Sequence, residues 1–398
     1  MPADPLEVAL FLYGLALPLS MAGANIGWGL VLAALLWKAR GGWRPARADL
    51  RGAIETPLWL FVLAAGLCAL FGTSLLGSLH PLRQDAHKLW LYYLLAAAFA
   101  AARPAPLLTG LSLGFCAAAS FGIGQSLGGL LIGDGAARSH AFVHPVTFGE
   151  QAAVGLIAGL SALVAPAPET AGGRPRRMLW VWTAALGLAL FLSNTRGAAL
   201  GAAAGIVALF PHLRRYRRWS VGALIIAAAV LVVMEGVAYY KSRSLVAQLL
   251  GLQTGSTAQM VRVDLWKAAV RMGLDHPWTG VGPGHYRTVF GSYFHGILDG
   301  GVRTWGTAHN LYLHHLAERG VVGLGALFLL VGSLWYRALE RVRRRPDALN
   351  LWAYGTVTAF VVMNLTEVAL QVELIWMLVW TVWLLAEAEH RRSEAAGS

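Results

Sequence analysis

The chain has 398 residues, of which 57% are hydrophobic and only 13% charged, against about 25% charged in an ordinary soluble domain. A mean hydropathy of +0.56, with many apolar runs near the roughly 20 residues that cross a bilayer as helix, excludes a set of soluble domains and indicates a polytopic membrane protein. The formal charge of +12 would suggest nucleic acid in a soluble protein; here the basic clusters are short and lack interleaved aromatics, which argues against a nucleic-acid partner.

The first 40 residues carry Asp4 and Glu7 ahead of an apolar run, not the basic start of a signal peptide, and read as two retained membrane helices joined near Ala22 to Asn25. Apolar segments lie at 6–21, 24–38, 57–78, 88–102, 105–131, 147–165, 178–193, 197–212, 219–238, 310–336, 349–364 and 370–388. The expected fold is therefore an all-α polytopic membrane protein of about 12 transmembrane helices, with one long, partly helical loop before the tenth. Its expected organisation is transmembrane helices over 1–238, a loop over 239–309, further transmembrane helices over 310–388 and a tail over 389–398. Cys68 and Cys116 both fall in apolar runs, which argues against a disulfide framework or a cysteine-ligated zinc site.

Twelve spans return both termini to one side, and the basic residues choose that side. One set of loops holds Lys38, Arg40, Arg44, Arg47, Arg51, Arg103 and later arginine clusters at 174–177, 214–218, 337–345 and 391–392, together 20 of the 32 Lys and Arg. The short loops opposite hold Arg83, Lys88, Arg138 and Arg196. The positive-inside rule places the first set and both termini in the cytoplasm and the long loop outside, which in a bacterium is the periplasm. Anionic membrane lipids are the expected partners of the basic loops. Trp28, Trp37, Trp59, Trp90, Trp180, Trp219, Trp335 and Trp352 recur near predicted span ends, where an aromatic belt would put them.

The stretch from Ser256 to Gly325 is a polar island holding six of the twelve histidines. Ser256 or Thr257 is placed to cap a helix running to about Gly273, with Arg262, Trp266 and Ala269 on one face and Asp264 and Lys267 paired at i,i+3 on another. GVGPGHY, from Gly280 to Tyr286, lacks the Lys-Ser/Thr ending of a phosphate-cradling loop and reads as a turn whose glycines let backbone lie close against helices. In WGTAHNLYLHHLAERGVVGLG, Thr307 is the expected N-cap, which puts His309 in the first turn of a membrane helix with Tyr312 near its face. There the helix dipole favours a neutral imidazole and also welcomes an anion.

Outside the island, SNTRGA puts Arg196 in a tight outward turn, where a charge close to hydrocarbon is a functional candidate. Arg83 and Lys88 in the loop HPLRQDAHKLW, and Arg138 in ARSHAFVHP, face the same way and are candidate substrate contacts, as are Trp266 and Tyr312. The competing reading for the first three is contact with headgroups or salt bridges to Asp85 or Asp134. Glu235, Glu367 and Glu373 lie near span ends. The chain has no HExxH and no paired outward acidic cluster, so the parts for metal-assisted catalysis are missing and no metal or cofactor is expected.

The order SNTRGA, RVDLWKAA, HPWTGVGPGHY and AHNLYLHHLAERGVVGLG, set in twelve spans, resembles the O-antigen ligase and polymerase superfamily. The resemblance is close from Ser193 to Gly325 and elsewhere rests on span number and hydropathy. It implies a membrane glycosyltransferase of the inner membrane with its site facing the periplasm. Such an enzyme moves a glycan from undecaprenyl diphosphate to a sugar hydroxyl of the lipid A core without a metal. It further implies that His309 matches the essential histidine, and that Arg196 and Arg262 match the arginines that bind the lipid diphosphate. A weakly nucleophilic hydroxyl needs a base, and a diphosphate leaving group needs fixed positive charge. Within the superfamily a repeat-unit polymerase and a protein O-oligosaccharyltransferase use the same donor class with other acceptors. A lipid-linked glycan transporter is the alternative from outside it.

Overall fold

The computed structural model describes residues 4–131, 139–165, 176–213, 222, 260–294 and 304–397, and among these the chain is helical with no strand. The helices are α1 (Pro5–Ala16), α2 (Met21–Arg40), α3 (Arg47–Leu50), α4 (Glu55–Leu70), α5 (Leu75–Ala101), α6 (Ala105–Leu131), α7 (Pro145–Val164), α8 (Arg176–Ser193) and α9 (Arg196–Leu209). They continue with α10 (Met260–Asp275), α11 (Tyr286–Tyr293), α12 (Leu311–Arg344), α13 (Ala348–Met363) and α14 (Glu373–Gly397). Six begin on a side-chain cap: Asp4, Ser20, Ser74, His144, Asn310 and Asp347 each accept a backbone N–H of the first turn.

Among the described residues four helices are long and apolar enough to cross a membrane, namely α2, α6, α7 and α12; α1, α4 and α13 are shorter apolar helices. The protein is thus a helical membrane protein. The expected span at 219–238 lies outside the described residues, apart from Gly222. The expected loop HPLRQDAHKLW is helical, because α5 starts at Leu75, behind the Ser74 cap, and runs through Pro81. Pro81 looks like a break in sequence, since it removes a donor and crowds the preceding turn. The turn is held from outside instead: the Ser78 hydroxyl donates to the Pro283 carbonyl at 2.9 Å.

Small residues set two close helix crossings. On α9, Gly201 and Gly205 face α13, where added Cβ atoms would lie 2.7 Å from the Ala359 carbonyl oxygen and 2.5 Å from that of Gly355. Gly14 of α1 meets the backbone of α6 at Leu107 in the same way. Such small-residue stripes let helix backbones approach where no hydrophobic gain separates protein from lipid. The centre of the bundle is α14, apolar around most of its circumference, with Trp376, Trp380 and Trp383 fully buried. Trp37, Trp59, Trp90 and Trp180 are exposed as the aromatic belt requires, but Trp352 is buried and donates to the Val154 carbonyl at 3.0 Å, so it belongs to the core.

The long helix α12 is interrupted at Gly320, whose φ of 58° and ψ of −159° leave the helical region. A break frees carbonyls before it and N–H groups after it, and each needs a partner when buried. Residues 277–282 supply most of them. Val281 and Gly282 donate to the carbonyls of Ala317 and Glu318 at 2.9 Å, while Val321 and Val322 donate to those of Pro277 and Trp278 at 2.8 and 3.2 Å. The Cys68 thiol of α4 takes the Arg319 carbonyl at 3.3 Å, and Thr73 donates to Val281 at 2.9 Å. Gly320→Ala would press a Cβ onto the Trp278 backbone in a left-handed conformation. That change should cost roughly 1–3 kcal/mol and lower the melting temperature in detergent. Gly325→Ala in the same helix, with nothing within 4 Å, should leave it unchanged.

Candidate functional site

Each sequence-predicted site residue has its place set by a local rule. Asn310, and not Thr307, caps α12: its Oδ1 accepts the Leu313 N–H at 3.0 Å. His309 therefore stands one residue outside the helix cap, with a left-handed φ of 47°, and the expectation that it sits in the first turn is corrected. The turn is pinned to the end of α13, since Asn310 Nδ2 donates to the Leu365 carbonyl and the Leu311 N–H to that of Asn364, both at 2.9 Å.

That pinning brings His309 to Glu367. The imidazole Nδ1 lies 3.5 Å from Glu367 Oε2, and Arg262 Nη2 of α10 donates to Glu367 Oε1 at 3.1 Å. The Glu367 side chain is 8% exposed, that of Arg262 21% and that of His309 30%, so two partly open groups share one nearly buried carboxylate. Arg196 opens α9 behind Asn194, whose φ is 50°. The next residue, Gly197, is packed so closely that a Cβ would fall 2.5 Å from Thr366 Oγ1 and 3.3 Å from Glu367 Cγ. The close packing of Gly197 therefore seats the start of α9, which bears Arg196, against the segment that carries Glu367. On α7, the fully buried carboxyl of Glu150, with no hydrogen-bonding partner, lies within electrostatic reach of Glu367.

The other candidates divide. Trp266 on α10 keeps a buried indole N–H with no protein partner, and the Trp305 ring lies 6.1 Å from the His309 ring. Tyr312 spends its hydroxyl on the Val361 carbonyl at 2.8 Å and stacks on Phe328, which makes it a brace between α12 and α13. Arg83 is exposed on α5. Lys88 is buried, paired with Asp85 at 3.0 Å, and lies over Trp376. Arg138 lies outside the described residues. Asp264 and Lys267 approach to 4.0 Å as expected.

The glycine-rich turn is held by Glu318, which accepts the N–H groups of Gly284 and Tyr286 at 2.9 Å and so caps α11 from the side. Tyr286 is buried and donates its hydroxyl to the Leu265 carbonyl at 2.8 Å, tying α11 to α10. Burial, with the Glu318 charge nearby, pushes that hydroxyl up from its ordinary pKa.

Arg196 at a helix start, and Arg262 and His309 brought together on Glu367, are the residues that the motifs single out. Residues 181–328 match the family model described as O-antigen ligase. That segment is similar to the O-antigen ligase family. No curated protein matches the chain. The matched segment runs from within α8 to within α12 and holds Arg196, Arg262 and His309. Glu367 lies outside that segment; the sequence offered only an acidic residue near a span end, with nothing to say that α13 would return it to His309. Asn310→Ala should remove the cap at a cost of about 1 kcal/mol and raise hydrogen exchange across 305–313 in the purified protein. Asn310→Asp, which keeps the cap acceptor, should restore most of the protection.

Proposed function

We propose that the protein transfers an O-antigen glycan from undecaprenyl diphosphate to a sugar hydroxyl of the lipid A core, at the periplasmic face of the bacterial inner membrane. The observation that carries this reading is the convergence of Arg262 and His309 on Glu367, with the start of α9, which bears Arg196, packed against Glu367 through Gly197. Twelve spans with both termini in the cytoplasm put this site outward, and reporter fusions at the termini and within 239–309 check that arrangement.

Glu367 accepts only, so a neutral His309 that donates from Nδ1 leaves Nε2 as a base. His309 Nε2 takes the proton of the acceptor hydroxyl as its oxygen attacks the anomeric carbon of the donor, opposite the diphosphate. The bond from that carbon to the phosphate oxygen breaks, and the electron pair leaves with the diphosphate. Configuration at the carbon inverts. Arg196 and Arg262 neutralise the charge that develops on the leaving group; Arg262 has donors beyond the Nη2 committed to Glu367.

Transfer is measured with purified protein, lipid-linked glycan and core acceptor in detergent, where no gradient exists to drive a transporter. His309→Ala should slow it by about 10²–10⁴-fold, and near-normal turnover would remove His309 from the role of base. Arg196→Lys and Arg262→Lys should each impair transfer, because a point charge does not reproduce a bidentate guanidinium contact. In cells, loss of the protein should leave polymer on its lipid carrier; accumulation of single repeat units would instead mark a polymerase.

A further inference from the structure

A second polar region lies next to this site and is not used by the proposed chemistry. It is a cavity of about 180 Å³ between α5, the glycine loop and α12. Gly306, three residues before His309, forms one edge, and Leu370 and Gln371, just past Glu367, form another. The cavity therefore opens beside the base, on the α5 side of it.

Its charges cancel internally. Asp85 pairs with Lys88 at 3.0 Å and with Arg319 at 2.7 Å, all three buried. Glu318 is engaged by the Gly284 and Tyr286 N–H groups and by His314 Nε2 at 3.4 Å. Two cations and two carboxylates leave no net charge to draw in a phosphate.

What remains unspent is uncharged hydrogen-bonding capacity. The side-chain amides of Gln84 and Gln371 line the cavity, each offering both donor and acceptor. His314 Nε2 is spent on Glu318. His315 Nδ1 faces the Leu311 carbonyl at 3.2 Å, so in the neutral ring its Nε2 is left as an acceptor. That nitrogen is buried without a protein partner, and the ring borders the cavity. A buried acceptor without a donor is costly. The ligand that fits offers hydroxyl groups and no charge.

We propose that this cavity is the subsite for an uncharged sugar ring, held through its hydroxyls, and that the ring belongs to the acceptor. The assignment to the acceptor rests on the transferase reading above; sugar binding by the cavity does not. Arg196 and Arg262 hold the anionic end of the donor, and an acceptor ring in the cavity presents a neighbouring hydroxyl to His309.

The test uses the full-length protein in detergent and two variants, Gln371→Leu at the partly exposed rim and His315→Phe at the wall, with melting temperature as the check on folding. Saturation-transfer NMR with phosphate-free core oligosaccharide should show binding to wild type that inorganic pyrophosphate does not displace. Binding should weaken about 10-fold in the variants, the loss of roughly one hydrogen bond. In the transfer assay KM for acceptor should rise by the same factor while KM for donor stays constant. Displacement by pyrophosphate, or unchanged binding in a Gln371→Leu protein that melts like wild type, would overturn the sugar subsite. A rise in donor KM alone would move the ring to the donor and overturn the acceptor assignment. Sugar binding by a wild-type protein that transfers nothing would support the subsite and count against the transferase reading.

Discussion

The break in α12 at Gly320 is the constraint on which the rest of the candidate site depends. A long membrane helix cannot stop and restart in a buried place unless its loose carbonyls and N–H groups are taken up. Residues 277–282 do this by lying flat on the break, with bonds running in both directions across it. Gly280 and Gly282 are required there because their backbones touch 317–319 and Gly72 at positive φ. Glu318 then reaches back to seat the start of α11. The same few residues therefore close the break, fix the loop and hold α10 over the bundle, which is how Arg262 is delivered to its place.

The second device is a single carboxylate. Glu367 follows α13, and α13 is held against α9 by glycines that allow backbone contact. Arg262 comes from α10, His309 from the turn before α12, and Arg196 from the start of α9. Nothing in chain order joins them. A nearly buried carboxylate with a partner on each oxygen fixes ring and guanidinium in relation to each other, which is the kind of preorganisation that charge development in a transition state rewards.

Much of this was legible in the sequence, and the physical reasons for what was not are specific. Apolar runs located α2, α6, α7, α8, α9 and α13 and the start of α12 within a few residues because hydrophobic length is a strong signal. The polar start of α5 was hidden, since Pro81 and a run of charged residues imitate a loop while the contacts that hold it, from Ser78 and Asp85, come from distant segments. Arg262 and His309 could be singled out by motif. Their meeting at Glu367 could not, because i,i+3 and i,i+4 rules describe one helix and this contact joins three separate segments. The cap was misplaced by three residues because Thr307 and Asn310 are both good caps, and only the pinning of Asn310 to Leu365 chooses between them.

The central claim is that Arg262, His309 and Glu367 act as one unit, and a double-mutant cycle tests it most directly. Transfer rates would be compared for wild type, Glu367→Gln, His309→Ala and the double variant, all shown to melt alike. Coupled groups give strongly non-additive effects, so the account predicts that Glu367→Gln slows transfer in the presence of His309 and adds little once His309 is gone. Losses that multiply in the double variant would contradict it, and would reduce Glu367 to a structural ion pair with Arg262.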